Sequence, residues 1–125
     1  MKLSSGHVEF YAQLELTKPV ILLHAFPLHS GMWSAQLPVI RRAGFTPIAI
    51  DAPGFGRSEL SSQVSDMDLL ADNAFTLWQR LELPPAVVMG LSMGGYAALR
   101  LSERYPEMLR ALVLADTRAE ADTPE

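Results

Sequence analysis

The chain has no cysteine, which rules out disulfides, thiolate nucleophiles and cysteine-based metal sites. Histidine is almost as scarce. The three present, His7, His24 and His29, all lie near the amino-terminal end and lack the paired spacing of a metal centre, so neither a metal nor a cofactor is expected. No apolar run approaches the roughly 20 residues that a membrane-spanning helix requires, and Met1 to His7 contain no apolar stretch of the kind a secretory leader carries. A cytoplasmic protein with no membrane partner is therefore expected. Basic residues are few, 10 Lys and Arg against 14 Asp and Glu, and only Arg41-Arg42 stand together. A net charge of −4 so distributed offers no footprint for nucleic acid. The expected partner is a small molecule.

What is present suits one globular domain: 125 residues, 49% hydrophobic and 19% charged. Four short apolar runs recur, Val20-Ile21-Leu22-Leu23, Thr46-Pro47-Ile48-Ala49-Ile50, Ala86-Val87-Val88-Met89 and Ala111-Leu112-Val113-Leu114-Ala115. Continuous runs of this length read as strands buried on both faces. Helical patterns lie between them. From Asp66 to Leu81, Met67, Leu70, Ala71, Ala74, Leu77, Trp78 and Leu81 recur at spacings of three and four, Ser65 with Asp68 reads as a capping box, and Pro84-Pro85 prevents continuation. Gly94 to Tyr105 reads as a second helix closed by Pro106, and part of Trp33 to Ala43 as a third, with Pro38 near its first turn and Gly44 as its stop. Val8 to Leu14 alternates weakly, as an antiparallel strand or two at one edge would. The order predicts an α/β fold, a mostly parallel sheet with helices on both faces.

In such sheets ligands gather beyond the carboxyl ends of the strands, so the segment after each run is where chemistry is expected. After the third run comes Gly90-Leu91-Ser92-Met93-Gly94, a G-x-S-x-G sequence between a strand and a helix. That is the pattern of a nucleophile elbow. Small residues two before and two after Ser92 are needed because the sharp turn brings those positions into collision, and the turn lifts the hydroxyl above the sheet at a helix N-terminus. After the first run stands His24-Ala25-Phe26-Pro27, after the second Asp51-Ala52-Pro53-Gly54-Phe55-Gly56-Arg57-Ser58, and after the fourth Asp116-Thr117-Arg118. Gly54-Phe55-Gly56 is no dinucleotide fingerprint, because the third glycine is missing and no helix opens there.

These segments, in this order and spacing, resemble the α/β-hydrolase superfamily, nearest its small-molecule esterase, lactonase and cofactor-free haloperoxidase branch, which includes the 3-oxoadipate enol-lactonases. The resemblance covers nearly the whole chain, as one incomplete domain spanning residues 1–125. It implies that Ser92 is the nucleophile and that the backbone amides of Phe26 and Met93 form an oxyanion hole. The family commonly has glycine where Ala25 stands. The resemblance further implies that His24 orders the oxyanion loop without serving as the base, and that Asp51, Gly54, Gly56 and Arg57 shape the loop beside the site. His29 is read either at the pocket mouth or as a loop residue. Trp33, Phe55, Met32 and Met93 are read as pocket lining or as core.

A serine hydroxyl needs a base, and the family order is Ser, then Asp or Glu, then His. No histidine follows Ser92. The resemblance implies that the catalytic histidine and the usual acid belong to a later stretch of chain. Asp116 is read either as an acid recruited from the end of the last strand or as a loop-capping carboxylate. Two expectations follow: the nucleophile-bearing part of an ester or lactone hydrolase, or a non-catalytic module acting only with another chain. Self-association is expected through the apolar edge at Ala111 to Ala115.

Overall fold

The computed structural model describes residues 2–3, 6–10, 17–59 and 66–120. Among the described residues six strands form one sheet: β1 (Lys2–Leu3), β2 (Gly6–Phe10), β3 (Pro19–Leu23), β4 (Thr46–Ile50), β5 (Ala86–Leu91) and β6 (Leu109–Ala115), in the spatial order β1-β2-β4-β3-β5-β6. The four apolar runs are the parallel strands β3 to β6; burial on both faces holds for β3 and β4, whereas β5 alternates between buried and half-buried and β6, last in the strand order, is exposed or half-buried throughout. The weak alternation after Val8 marks β2, which pairs antiparallel with β4 through Val8 opposite Ile50; β1 pairs antiparallel with β2. Residues 11 to 14 of that expected strand lie outside the described residues.

Strand alternation sorts the core into two layers. Ile21, Leu23, Ile48, Ile50 and Val88 face the helices α2 (Met67–Arg80) and α3 (Met93–Arg104), packing with Leu70, Ala74, Leu77, Ala97, Ala98 and Leu101. Val20, Leu22 and Ala49 face the other way, against Trp33 of a 3-10 turn (Ser30–Trp33) and Leu37 of α1 (Leu37–Arg42). Helices therefore cover both faces, as the alternating order of elements requires. Gly94, Gly95, Ala97 and Ala98 are all buried, and this small-residue face lets α3 lie close on the sheet.

Local signals differ from expectation at the ends of α2. The cap is Asp66, whose carboxylate accepts from the Leu69 amide at 2.8 Å, and Ser65 lies outside the described residues. Asp68 is not a capping-box partner: the side chain three residues beyond the cap is that of Leu69, and Asp68 pairs across to Arg100 of α3 at 2.5 Å. Asp72 similarly holds Arg104 at 2.9 Å and the Tyr105 hydroxyl, so a polar lacing joins α2 to α3 at the surface. The third helix is shorter than its window, because Ser30–Trp33 winds as 3-10 before α1 starts with Pro38 in its first turn. Gly44, at φ +87°, stops α1.

Candidate active site

Sheet order places the chemistry. The chain leaves β3 for β4 on one side and later returns to β5 on the other, so the direction of winding reverses at β3. Crevices form at such reversals, beyond the carboxyl ends of the strands. Leu23 of β3 pairs with Gly90 of β5, and the residues that follow, His24 on one strand and Leu91-Ser92 on the other, are brought side by side.

Ser92 stands between β5 and α3 with φ +53° and ψ −111°, a left-handed conformation rarely adopted by a residue with a side chain. It is exposed, and its hydroxyl makes no capping bond to α3. The flanking glycines are required by contact. A Cβ on Gly90 would stand 2.2 Å from the Gly94 carbonyl oxygen, and a Cβ on Gly94 would stand 2.1 Å from that of Leu23. Only glycine lets the elbow close and α3 approach β3.

The loop after β3 is held from behind. His24 is buried, and its Nε2 accepts the Ala52 amide N–H at 3.0 Å, which places the ring proton on Nδ1, 3.0 Å from the Ala25 carbonyl it donates to. Burial pushes the imidazole below its ordinary 6.5, outweighing the upward pull of the Ala25 carbonyl and the Asp51 carboxylate. Asp51, only 1% exposed, accepts the Ser30 amide at 2.7 Å and the Arg57 amide at 2.9 Å, while its own carbonyl accepts the Ser58 hydroxyl at 2.6 Å. Burial alone would raise the Asp51 carboxyl; the Arg57 and Ser30 N–H groups outweigh it and hold it below 3.8. It is the main-chain N–H of Arg57 that makes this contact. Gly54 and Gly56 turn the loop with φ of +82° and +52°, and a Cβ on Gly56 would meet the Asp51 carboxylate at 2.4 Å.

The amides of Phe26 and Met93 have no hydrogen-bond partner among the described residues. Met93 is the first residue of α3, where an N–H has no acceptor within the helix. The Phe26 side chain is 68% exposed beside Phe55, at a ring separation of 5.9 Å, and Phe55 also meets His24 edge-on. His29 caps the 3-10 turn, its Nδ1 accepting from Gly31 at 3.0 Å. Of the two readings open for Trp33, core packing describes where it lies, buried in the layer opposite α2 and α3. Met32 directs its sulfur at the Ala25 amide, 3.4 Å away. Asp116 is exposed at φ +45°, with no side-chain hydrogen bond among the described residues. A cavity of about 10 Å³ behind His24, bordered by Ala52, Asn73 and Gly94, has the size of a single water and cannot hold a substrate. No group of His, Asp and Glu able to hold a metal occurs among the described residues.

Sequence reasoning overlooked Ser30, Ser58 and Thr117, each of which hydrogen-bonds within this frame. Their partners are 21, 7 and 25 residues away, and the only signal was their place in segments that follow strands.

Residues 18–125 match the alpha/beta hydrolase fold family. The chain belongs to that family. It is 35% identical over 96 residues to a putative non-heme chloroperoxidase of Synechocystis sp., covering 77% of this chain and 35% of that protein. Among solved structures, a thermophilic esterase from Thermogutta terrifontis superposes with a TM-score of 0.86 at 37% identity, over 95% of this chain and 43% of that one. The N-acyl homoserine lactonase AidH superposes with a TM-score of 0.79 at 26% identity, over 91% of this chain and 43% of that one. The chain thus spans well under half the length of these relatives. Among the described residues no helix is long and apolar enough to cross a membrane.

Proposed function

We propose that this chain carries the nucleophile and oxyanion hole of a serine hydrolase acting on a small carboxylic ester or lactone. One observation carries the reading: Ser92 stands exposed and left-handed at the tip of the elbow, beside the amide of Met93, which has no partner among the described residues. In the proposed reaction Ser92 Oγ attacks the acyl carbon and gives its proton to a base. The carbonyl oxygen becomes an oxyanion held by the N–H groups of Met93 and Phe26. Collapse re-forms the carbonyl and breaks the bond to the alcohol oxygen, which leaves with the proton. Water then releases the acid from acyl-Ser92 by the same steps. No metal or cofactor takes part in this scheme.

Neither histidine of the described loop is assigned as the base. His24 uses Nε2 to accept the Ala52 amide, and His29 uses Nδ1 to cap the 3-10 turn. In the family order the histidine follows the serine, and none does so within this sequence. The proposal assigns the base to a group outside these 125 residues, with Asp116 as one candidate for the acid. The relatives named an esterase and a lactonase support the substrate class. A second reading, a non-catalytic module that works only with another chain, is favoured by the fact that His24 and His29 are each already engaged in a structural hydrogen bond.

Labelling with a fluorophosphonate probe separates the two. With the base present in the whole protein, a stable adduct on Ser92, located by mass spectrometry and absent from Ser92→Ala, is expected of the hydrolase; folded whole protein that takes no label supports the module. Self-association through β6, where Val113 and Leu114 are 39% and 41% exposed, belongs to the same proposal. Light scattering showing a monomer at high concentration would remove it.

A further inference from the structure

We propose that Thr117 is a positioning residue for Ser92, the outer half of a clasp by which the turn after β6 holds the nucleophile's main chain. This rests on the reading of Ser92 as the nucleophile. Both backbone polar groups of Ser92 are taken up where β6 ends and the turn begins: its N–H donates to the carbonyl of Ala115, the last residue of β6, at 3.0 Å, and its carbonyl accepts the Thr117 hydroxyl at 3.0 Å. The intervening Asp116 is left-handed, at φ +45°, which bends the chain so that residues 115 and 117 both reach the elbow.

The arrangement answers a physical need. A non-glycine residue at φ +53° is strained and persists only where its surroundings over-determine it. From within α3 only the carbonyl of Ser92 is engaged, by Gly95 N–H at 2.8 Å and Tyr96 N–H at 3.3 Å. Its N–H is left to β6, and Thr117 braces the carbonyl from beside Gly95 in the first turn of the helix. Thr117 is also fitted by shape. A Cβ on Gly95 would lie 2.5 Å from Thr117 Cγ2, 2.6 Å from its Cβ and 2.6 Å from its Oγ1. Gly95 is therefore the opening that lets this side chain reach the carbonyl, in addition to letting α3 close on the sheet.

The test compares Thr117→Val, which keeps the shape and removes the hydroxyl, with Thr117→Ser, which keeps the hydroxyl. Native-state hydrogen exchange across residues 92–96 reads the clasp without reference to activity, and the rate of fluorophosphonate labelling at Ser92 reads its consequence. Thr117→Val is expected to speed exchange of the Ser92 amide about tenfold and to slow labelling about tenfold, equivalent to ~1.4 kcal/mol. Thr117→Ser is expected to restore both, and unchanged far-UV circular dichroism shows that the variants fold. Exchange in Thr117→Val equal to wild type overturns the inference, as does faster exchange with an unaltered labelling rate. If wild-type protein with the base present takes no label on Ser92, the nucleophile reading fails by itself, and the exchange data still decide whether the clasp exists.

Discussion

His24 and Ala52, 28 residues apart in the chain, are joined by a buried bond in which the imidazole Nε2 accepts the Ala52 amide at 3.0 Å. This bond fastens the loop after β3 to the loop after β4. Replacing His24 with Leu leaves the Ala52 N–H buried without an acceptor, which costs about 1–3 kcal/mol. Urea unfolding of His24→Leu is expected to show that loss; equal midpoints for variant and wild type would contradict it.

The same ring makes stability depend on pH. The native His24 pKa lies below 6.5, so as pH falls the unfolded chain takes up its proton first. His24 stabilisation is complete above about pH 6.5 and fades as pH falls through the native pKa. Asp51, held below 3.8, adds a second loss, complete in its stabilisation above that value and fading beneath it. Thermal melts from pH 8 to pH 3 are expected to fall in both windows, and His24→Leu to lose the slope of the upper one alone.

Asp51 is the acceptor on which two loops converge. Asp51→Ala leaves the amides of Ser30 and Arg57 without their carboxylate, at ~1–3 kcal/mol for each orphaned donor. Chemical denaturation is expected to show a larger loss than in His24→Leu. Because Ser30 begins the 3-10 turn that follows the Phe26 loop, labelling at Ser92 is expected to slow as well.

Gly94→Ala tests how tightly the elbow is packed. The added methyl would stand 2.1 Å from the Leu23 carbonyl oxygen, a backbone atom in the middle of the sheet that cannot swing aside. The loss is expected at or beyond the ~3 kcal/mol that usually bounds overpacking. Gly44→Ala, where a Cβ meets nothing within 4 Å but φ is +87°, is expected to fall well below it, the cost there being backbone strain alone. Comparable melting temperatures for the two variants would contradict this account.

The strands and the elbow were legible because their causes are local. Four runs of apolar residues are each long enough for one strand, and Gly90 and Gly94 flank Ser92 in a spacing that a sharp turn dictates. The helix patterns were legible for the same reason, although the cap of α2 was not: Asp66 and Ser65 are both competent caps, and only the backbone at 66, extended at φ −126° and ψ 178°, selects between them.

What the sequence by itself determined is therefore the alternation of elements and the identity of the residue at the elbow, both of which follow from short-range periodicity and steric limits. Tertiary structure alone decided the strand order, which reverses at β3 and sets His24 beside the Ser92 turn. It also decided that Trp33 belongs to the core, that Asp51 gathers the amides of Ser30 and Arg57, and that Thr117 meets Ser92. A buried N–H or carbonyl must find a partner, but which partner is set by the chain segments that packing brings within reach. That information resides in the fold and is absent from the spacing of residues along it.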